Sequence, residues 1–156
     1  MSKSLKRVEA ALAAQGLSCP IVACSESART AAEAAAAAGC EIDQIVKSII
    51  FQGQSSGEIV LFLTAGGNRV DPEAAGRLAG GPLGRADADR VRAVTGFAIG
   101  GVSPVGHLEP LRTFADPRLL AFPTVWAAAG TPQHIFAIAP SDLVRITAAT
   151  VAPFTA

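Results

Sequence analysis

Cysteine is scarce. Cys19, Cys24 and Cys40 make an odd count with no CxxC pair, so neither a disulfide framework nor a zinc site is indicated, and a reducing compartment fits. Histidine is scarcer still: His107 and His134 are far apart and lack the i, i+4 spacing of a helical metal site. Neither metal nor any other cofactor is therefore expected. Half of the residues are apolar, yet no apolar run approaches the roughly 20 residues that span a bilayer. Glu9 and Gln15 interrupt the first apolar stretch, which argues against a signal peptide and for a cytoplasmic address. Charge of either sign is not in excess, with 13 basic and 13 acidic residues. Broad binding to a phosphate backbone would call for a basic surplus, so any contact with nucleic acid is expected to be local.

Apolar periodicity predicts the elements. Leu5, Val8 and Leu12 share one face of a first helix, with Ser2 or Ser4 as cap and Gly16 as stop. SCPIVAC reads as a short strand, and SESARTAAEAAAAAG as a helix capped by Ser27 or Thr30 and ended by Gly39. IVKSIIFQ (45–52) and EIVLFLTA (58–65), joined by GQSSG, look like a hairpin. Asp71 and Pro72 open a further helix, and another begins near Asp87 and stops at Gly96. FAIGGVSPVGH is expected to be a short strand breaking into a loop. LRTFAD, TVWAAAG and HIFAIAP are strand candidates, and PSDLVRIT is a closing helix. Without regular βαβ alternation, residues 1–156 are expected to form one compact α/β domain, a central mixed β-sheet flanked by helices.

Two features carry possible chemistry. Lys47 shares a strand face with Ile45 and Ile49, while Val46 and Ile50 occupy the other, as in an inner strand. A buried ammonium must be paired, neutral or at an opening. Two readings stay open: a stem that snorkels to water at a sheet edge, or a site lysine for an anion or a developing oxyanion. The second feature is GGVSPVGH, residues 100–107, whose glycines permit close backbone approach and whose Pro104 fixes the path. It serves either as a tight connection or as a source of N–H groups and a hydroxyl for a ligand.

Other motifs are weaker. The loop is not GxGxxG and is not followed by GK[ST], so a nucleotide fold is rejected. Ser103 lacks the G-x-S-x-G setting of a hydrolase nucleophile, and His107 reads as a pocket-rim residue rather than its base. His134 reads as an edge or packed histidine, Trp126 as a core residue, and Asp116-Pro117 as a turn or helix start. Arg69, Arg85 and Arg90 read as a solvated face or a local basic rim, and Cys40 as unreactive.

Taken together, TAAEAAAAAGCEIDQIVKSIIF, VLFLTAGGNRVD, TGFAIGGVSPVGH and TVWAAAGTPQHIFAIAPSDLVRIT occur in an order that resembles the YbaK/ProX family of aminoacyl-tRNA deacylases, over about residues 25 to 145. The resemblance implies hydrolysis of a mischarged tRNA ester, on a proline tRNA or another tRNA carrying a small amino acid. It implies no metal and no covalent enzyme nucleophile, since water or the substrate's own groups take that role. Lys47 corresponds to the family's functional lysine, and Gly100, Gly101, Ser103 and Pro104 to its GxxxP loop. Lys47, Gly101 and Ser103 are thus the expected catalytic residues. Thr30, Ser48, Gly100, Val102, Pro104, Gly106, His107, Gly130 and Thr131 are the expected substrate-binding residues. The implied partners are the tRNA acceptor end and an aminoacyl-tRNA synthetase, with no membrane. Tyrosine is absent, leaving Phe51, Phe97, Phe122 and Trp126 as aromatic groups for a pocket. Two alternatives stay open: a non-catalytic tRNA- or synthetase-binding module, and a small-molecule hydrolase or binder on the same fold.

Overall fold

The structure, a computed structural model, describes residues 2–24 and 30–156. Ser27, one of the expected caps, lies outside the described residues. The first helix, α1 (Lys3–Ala14), is capped by the Ser2 hydroxyl, which accepts the Leu5 N–H at 3.0 Å. It buries Leu5, Val8 and Leu12, the stripe that the spacing predicts. A short strand β1 (Ile21–Ala23) precedes α2 (Ala31–Ala38). Thr30 and Glu33 form a reciprocal capping box at the start of α2, and Gly39 ends it in the left-handed conformation.

β2 (Ile45–Gly53) and β3 (Ile59–Ala65) pair antiparallel, with Lys47 opposite Thr64 and Ile49 opposite Phe62. Asp71 caps α3 (Pro72–Ala79), which is followed by β4 (Leu83–Arg85) and α4 (Ala88–Thr95). The remaining elements are β5 (Arg112–Ala115), β6 (Val125–Ala128), β7 (His134–Ile138), α5 (Pro140–Thr147) and β8 (Thr150–Val151). The sheet order is β1-β7-β6-β2-β3-β5-β8, with β4 also on β2. Parallel pairs (β2–β6, β3–β5, β5–β8) and antiparallel pairs mix, as expected. No helix of the described residues is long and apolar enough to cross a membrane.

Three departures from the sequence-based expectation bear on the site. Residues 97–100, expected to be a strand, form a turn. The Gly101 N–H is bonded back to the Ala98 carbonyl at 3.0 Å, and Thr95 Oγ1 accepts the Phe97 N–H at 3.0 Å. These groups are satisfied locally, which leaves no ladder to join. The short strands β4 and β8 were not foreseen, being too brief to show a period of two.

Each sheet face has its own core. One face carries α1, α4 and α5, whose Val8, Val91 and Leu143 pack on Val46, Leu61 and Leu63. The other face holds two separate clusters. Ala34 and Ala35 of α2 cover Ile45, while Ala75 of α3 packs with Phe62, Phe114 and Phe154, and Ile49 and Phe51 join from the side. Lys47 projects between these two clusters, on the face its spacing predicts.

Candidate active site

β2 is an inner strand with an interruption on one edge. β6 pairs with it at Ile45 and Val46, and β4 at Phe51, Gln52 and Gly53. Among the described residues, 47–50 have no strand partner on that edge. A cavity of about 180 Å³ opens there, lined by Thr30, Ala31 and Ala34 on one side. Lys47 and Ser48 of β2, Gly100 and Val102 of the glycine loop, and Trp126, Ala128 and Ile135 also line it. Five of the expected site residues (Thr30, Lys47, Ser48, Gly100 and Val102) thus meet at one opening. They come from segments as far apart as α2 and the loop after α4.

Lys47 is half-buried, and its Nζ donates to the main-chain carbonyl of Asn68. Burial first, and then the Arg69 guanidinium, push its pKa below the ordinary lysine value, while the Asp116 and Asp43 carboxylates act in the opposite direction. The ammonium is tied to a carbonyl in a turn beside the cavity. That turn is GGN, residues 66–68. A side chain at Gly66 would put its Cβ 2.1 Å from the Ile42 carbonyl oxygen, and one at Gly67 would meet Asp43 Oδ1 at 2.5 Å. Glycine is required for this approach.

In the same cavity lining, the N–H groups of Gly100 and Val102 have no backbone acceptor among the described residues. Gly101 behaves otherwise. Its N–H is engaged with Ala98, and a Cβ there would lie 3.4 Å from the Thr131 backbone. Gly101 therefore seats the loop on the 130–131 turn and lies outside the cavity lining. Ser103, expected to be catalytic, is fully buried; its Oγ accepts the Val105 N–H at 3.2 Å. His107 Nε2 lies 2.6 Å from the Ser103 carbonyl rather than from its hydroxyl. This is a loop clamp, not a nucleophile and its base. Pro104, Gly106 and His107 line a different groove, shared with Ala11, Gln15 and Thr147 on the far side of the loop.

Gly130 and Thr131 also support the site from behind. Gly130 sits at φ 92°, and a Cβ there would fall 2.8 Å from the Ser4 carbonyl and 3.0 Å from the Phe97 ring. Thr131 Oγ1 lies 2.7 Å from His134 Nδ1 and accepts the Gln133 N–H. Among the aromatic candidates, Trp126 is the cavity wall. Phe51 belongs to the α3 cluster, while Phe97 and Phe122 lie under the guanidinium groups of Arg7 and Arg118.

Sequence reasoning missed Arg7. From α1, its Nε donates to Gly106 O at 2.8 Å and its Nη2 to Gly96 O at 2.7 Å, and it lies 4.4 Å from the Phe97 ring centroid. An arginine beside the apolar stripe of α1 was the available signal. The three thiols have pKa values pushed up, chiefly by burial, which keeps them in the less reactive protonated form.

Comparison with known proteins accords with this architecture. The sequence pattern of the aminoacyl-tRNA editing domain matches residues 25–146. A candidate trans-editing enzyme for prolyl tRNA synthetase, known from a crystal structure, is 48% identical at a TM-score of 0.93, covering 100% of this chain and 99% of that one. The crystal structure of the hypothetical protein APE2540 is 31% identical at a TM-score of 0.87, over 96% of this chain and 99% of that one. YwhH of Bacillus subtilis (strain 168) is 28% identical over 117 residues, 75% of this chain and 74% of that protein. The chain belongs to the aminoacyl-tRNA editing domain family and is an aminoacyl-tRNA deacylase.

Proposed function

We propose that this deacylase acts in trans on a tRNA of the prolyl-tRNA synthetase system that carries the wrong, small amino acid. The observation that carries this reading is that Lys47, Gly100 and Val102 line one cavity of about 180 Å³. The aminoacyl group enters between Ala31, Ala34, Trp126 and Ala128, walls that leave room for a small uncharged side chain. Lys47 holds a phosphate or ribose oxygen of the terminal adenosine. Held there, the ester carbonyl directs its oxygen at the loop N–H groups, which stabilise it as water adds. The carbon–oxygen bond to the ribose then breaks, releasing the free amino acid and the tRNA hydroxyl. Ser103 acts by keeping the loop in shape, and Ser48 by lining the pocket.

Grip on the acceptor end alone suits a protein with no basic excess. A synthetase partner would add the affinity and the tRNA identity that a surface of this charge does not provide, in the cytoplasm where tRNA is charged. A deacylation panel tests the reading, using proline tRNA charged with alanine, serine, cysteine, 2-aminobutyrate or phenylalanine. Fast hydrolysis is expected for the small esters and slow hydrolysis for phenylalanine. Neighbouring small substrates should differ modestly, because one methylene is worth about 1–3 kcal/mol. Equal hydrolysis of the phenylalanyl ester, or hydrolysis of none, would count against it.

A further inference from the structure

Asp116 is a buried carboxylate that the deacylation chemistry described above does not use; it is 2% exposed, at the end of β5. Three donors surround it. Oδ2 accepts the Ala65 N–H at 3.1 Å and Asn68 Nδ2 at 2.9 Å, and Oδ1 accepts the Arg118 N–H at 3.0 Å. Ala65 and Asn68 are the two ends of the GGN turn, itself closed by the Asn68 N–H on the Ala65 carbonyl at 2.9 Å. The same carboxylate oxygen therefore straddles the turn whose next carbonyl, that of Asn68, receives Lys47 Nζ.

A second carboxylate pins the turn from outside. Asp43 Oδ1 accepts the Gly67 N–H at 2.8 Å, and its Oδ2 accepts Arg118 Nε at 2.9 Å. Arg118 thus bridges both carboxylates, through its main chain to Asp116 and its side chain to Asp43. The circuit Asp116–Asn68–Gly67–Asp43–Arg118 closes on itself, and Lys47 is tethered to it. Among the described residues the three groups bonded to the Asp116 carboxylate are all donors, so an acceptor-only side chain satisfies them, whereas an amide would set N–H against N–H. A cap for the five-residue 3-10 turn at Pro117–Ala121 needs only the Arg118 contact. The Oδ2 contacts to Ala65 and Asn68 serve the GGN turn.

We propose that Asp116 is a positioning residue for deacylation, acting through the Asn68 side chain to fix the main-chain carbonyl that holds Lys47 in the cavity. This rests on the Lys47 role proposed above. Without the tether the Asn68 carbonyl is free to rotate, and the ammonium loses its fixed distance to the substrate. Misplacement of about 1 Å costs up to a hundredfold in rate.

The test uses the full chain and alanine-mischarged proline tRNA, with Asn68→Ala, Asp116→Asn and Lys47→Ala measured together. Asn68→Ala removes the tether but keeps the carbonyl. Its single-turnover rate should fall on the order of tenfold to a hundredfold, with tRNA affinity and melting temperature close to wild type. Asp116→Asn should slow the reaction as well. It also removes a negative charge near Lys47, whose charged neighbours among the described residues are Asp116, Asp43 and Arg69. The alkaline limb of the pH–rate profile should therefore move to lower pH, and the rate loss in Asn68→Ala at an unchanged melting temperature is what a purely structural cap would not produce. Should Asp116→Asn fail to fold, Asn68→Ala decides alone. A wild-type rate in Asn68→Ala while Lys47→Ala is inactive overturns this proposal and leaves the Lys47 role standing. Full activity of Lys47→Ala would overturn both.

Discussion

The two walls of the cavity are built by different means. The β2 wall rests on strand pairing, two glycines without room for a Cβ, and two carboxylates on one turn. The loop wall, residues 97–107, has neither ladder nor ion pair among the described residues. It is held by an arginine from α1, by the Ser103 Oγ contact and by the His107 clamp. The first wall fixes a charged side chain; the second presents main-chain N–H groups. The lesson is one of tolerance. Crowding the glycines of the strand wall should cost fold and activity together, and disturbing the loop wall should cost activity first.

Gly66→Ala should have the largest effect on the fold. The added Cβ meets a backbone oxygen that cannot swing away, so about 3 kcal/mol of stability should be lost along with deacylation. Denaturant unfolding measures it, and a wild-type midpoint would show that the strand wall yields as easily as the loop. Arg7→Met, which keeps the stem and removes the guanidinium, should cost about 2 kcal/mol. It should also raise KM more than Gly66→Ala does per unit of stability lost. An unchanged KM would mean that the loop does not depend on α1.

His107 sharpens the comparison through pH. Burial, opposed by the Ser103 carbonyl and assisted by Arg7, holds its pKa below the ordinary 6.5. The unfolded chain therefore takes up the proton first as pH falls. The contribution is fully present above about 6.5 and is lost as pH drops through the lower folded value. Wild type should lose stability across that acidic window, and His107→Gln should lose less of it. Thermal melts from pH 7.5 to 4.5 measure the difference, and parallel curves would remove His107 from the account. The smallest effect belongs to Arg118→Met. Its exposed pair with Asp43 should contribute well under about 1 kcal/mol, and its backbone bond to Asp116 survives the change.

The two walls also differed in how far the sequence revealed them. Alternation in IVKSII placed Lys47 on the correct face of an inner strand, and Asp71-Pro72 located α3, because both signals are local. The apolar residues of FAIGG suggest extension, whereas Phe97 is buried beneath Arg7 and the chain turns at Ala98. Asp116 looked like a turn residue, and it does cap one. Its hold on Asn68, 48 positions away, has no local signature. Gly101 is expected at the substrate from the family resemblance, and Gly130-Thr131 from a turn that could line a pocket. Both glycines lie close to other backbone of the protein, Gly101 to Thr131 and Gly130 to Ser4.

In the proposed reaction the Lys47 ammonium, and not the shape of the cavity alone, sets the rate of ester hydrolysis by holding the acceptor end. Lys47→Met keeps the stem's volume and removes the charge, so folding should be retained. Single-turnover deacylation of alanine-mischarged proline tRNA should fall on the order of a hundredfold or more, with the melting temperature unchanged or higher. A wild-type rate in that variant would contradict the account.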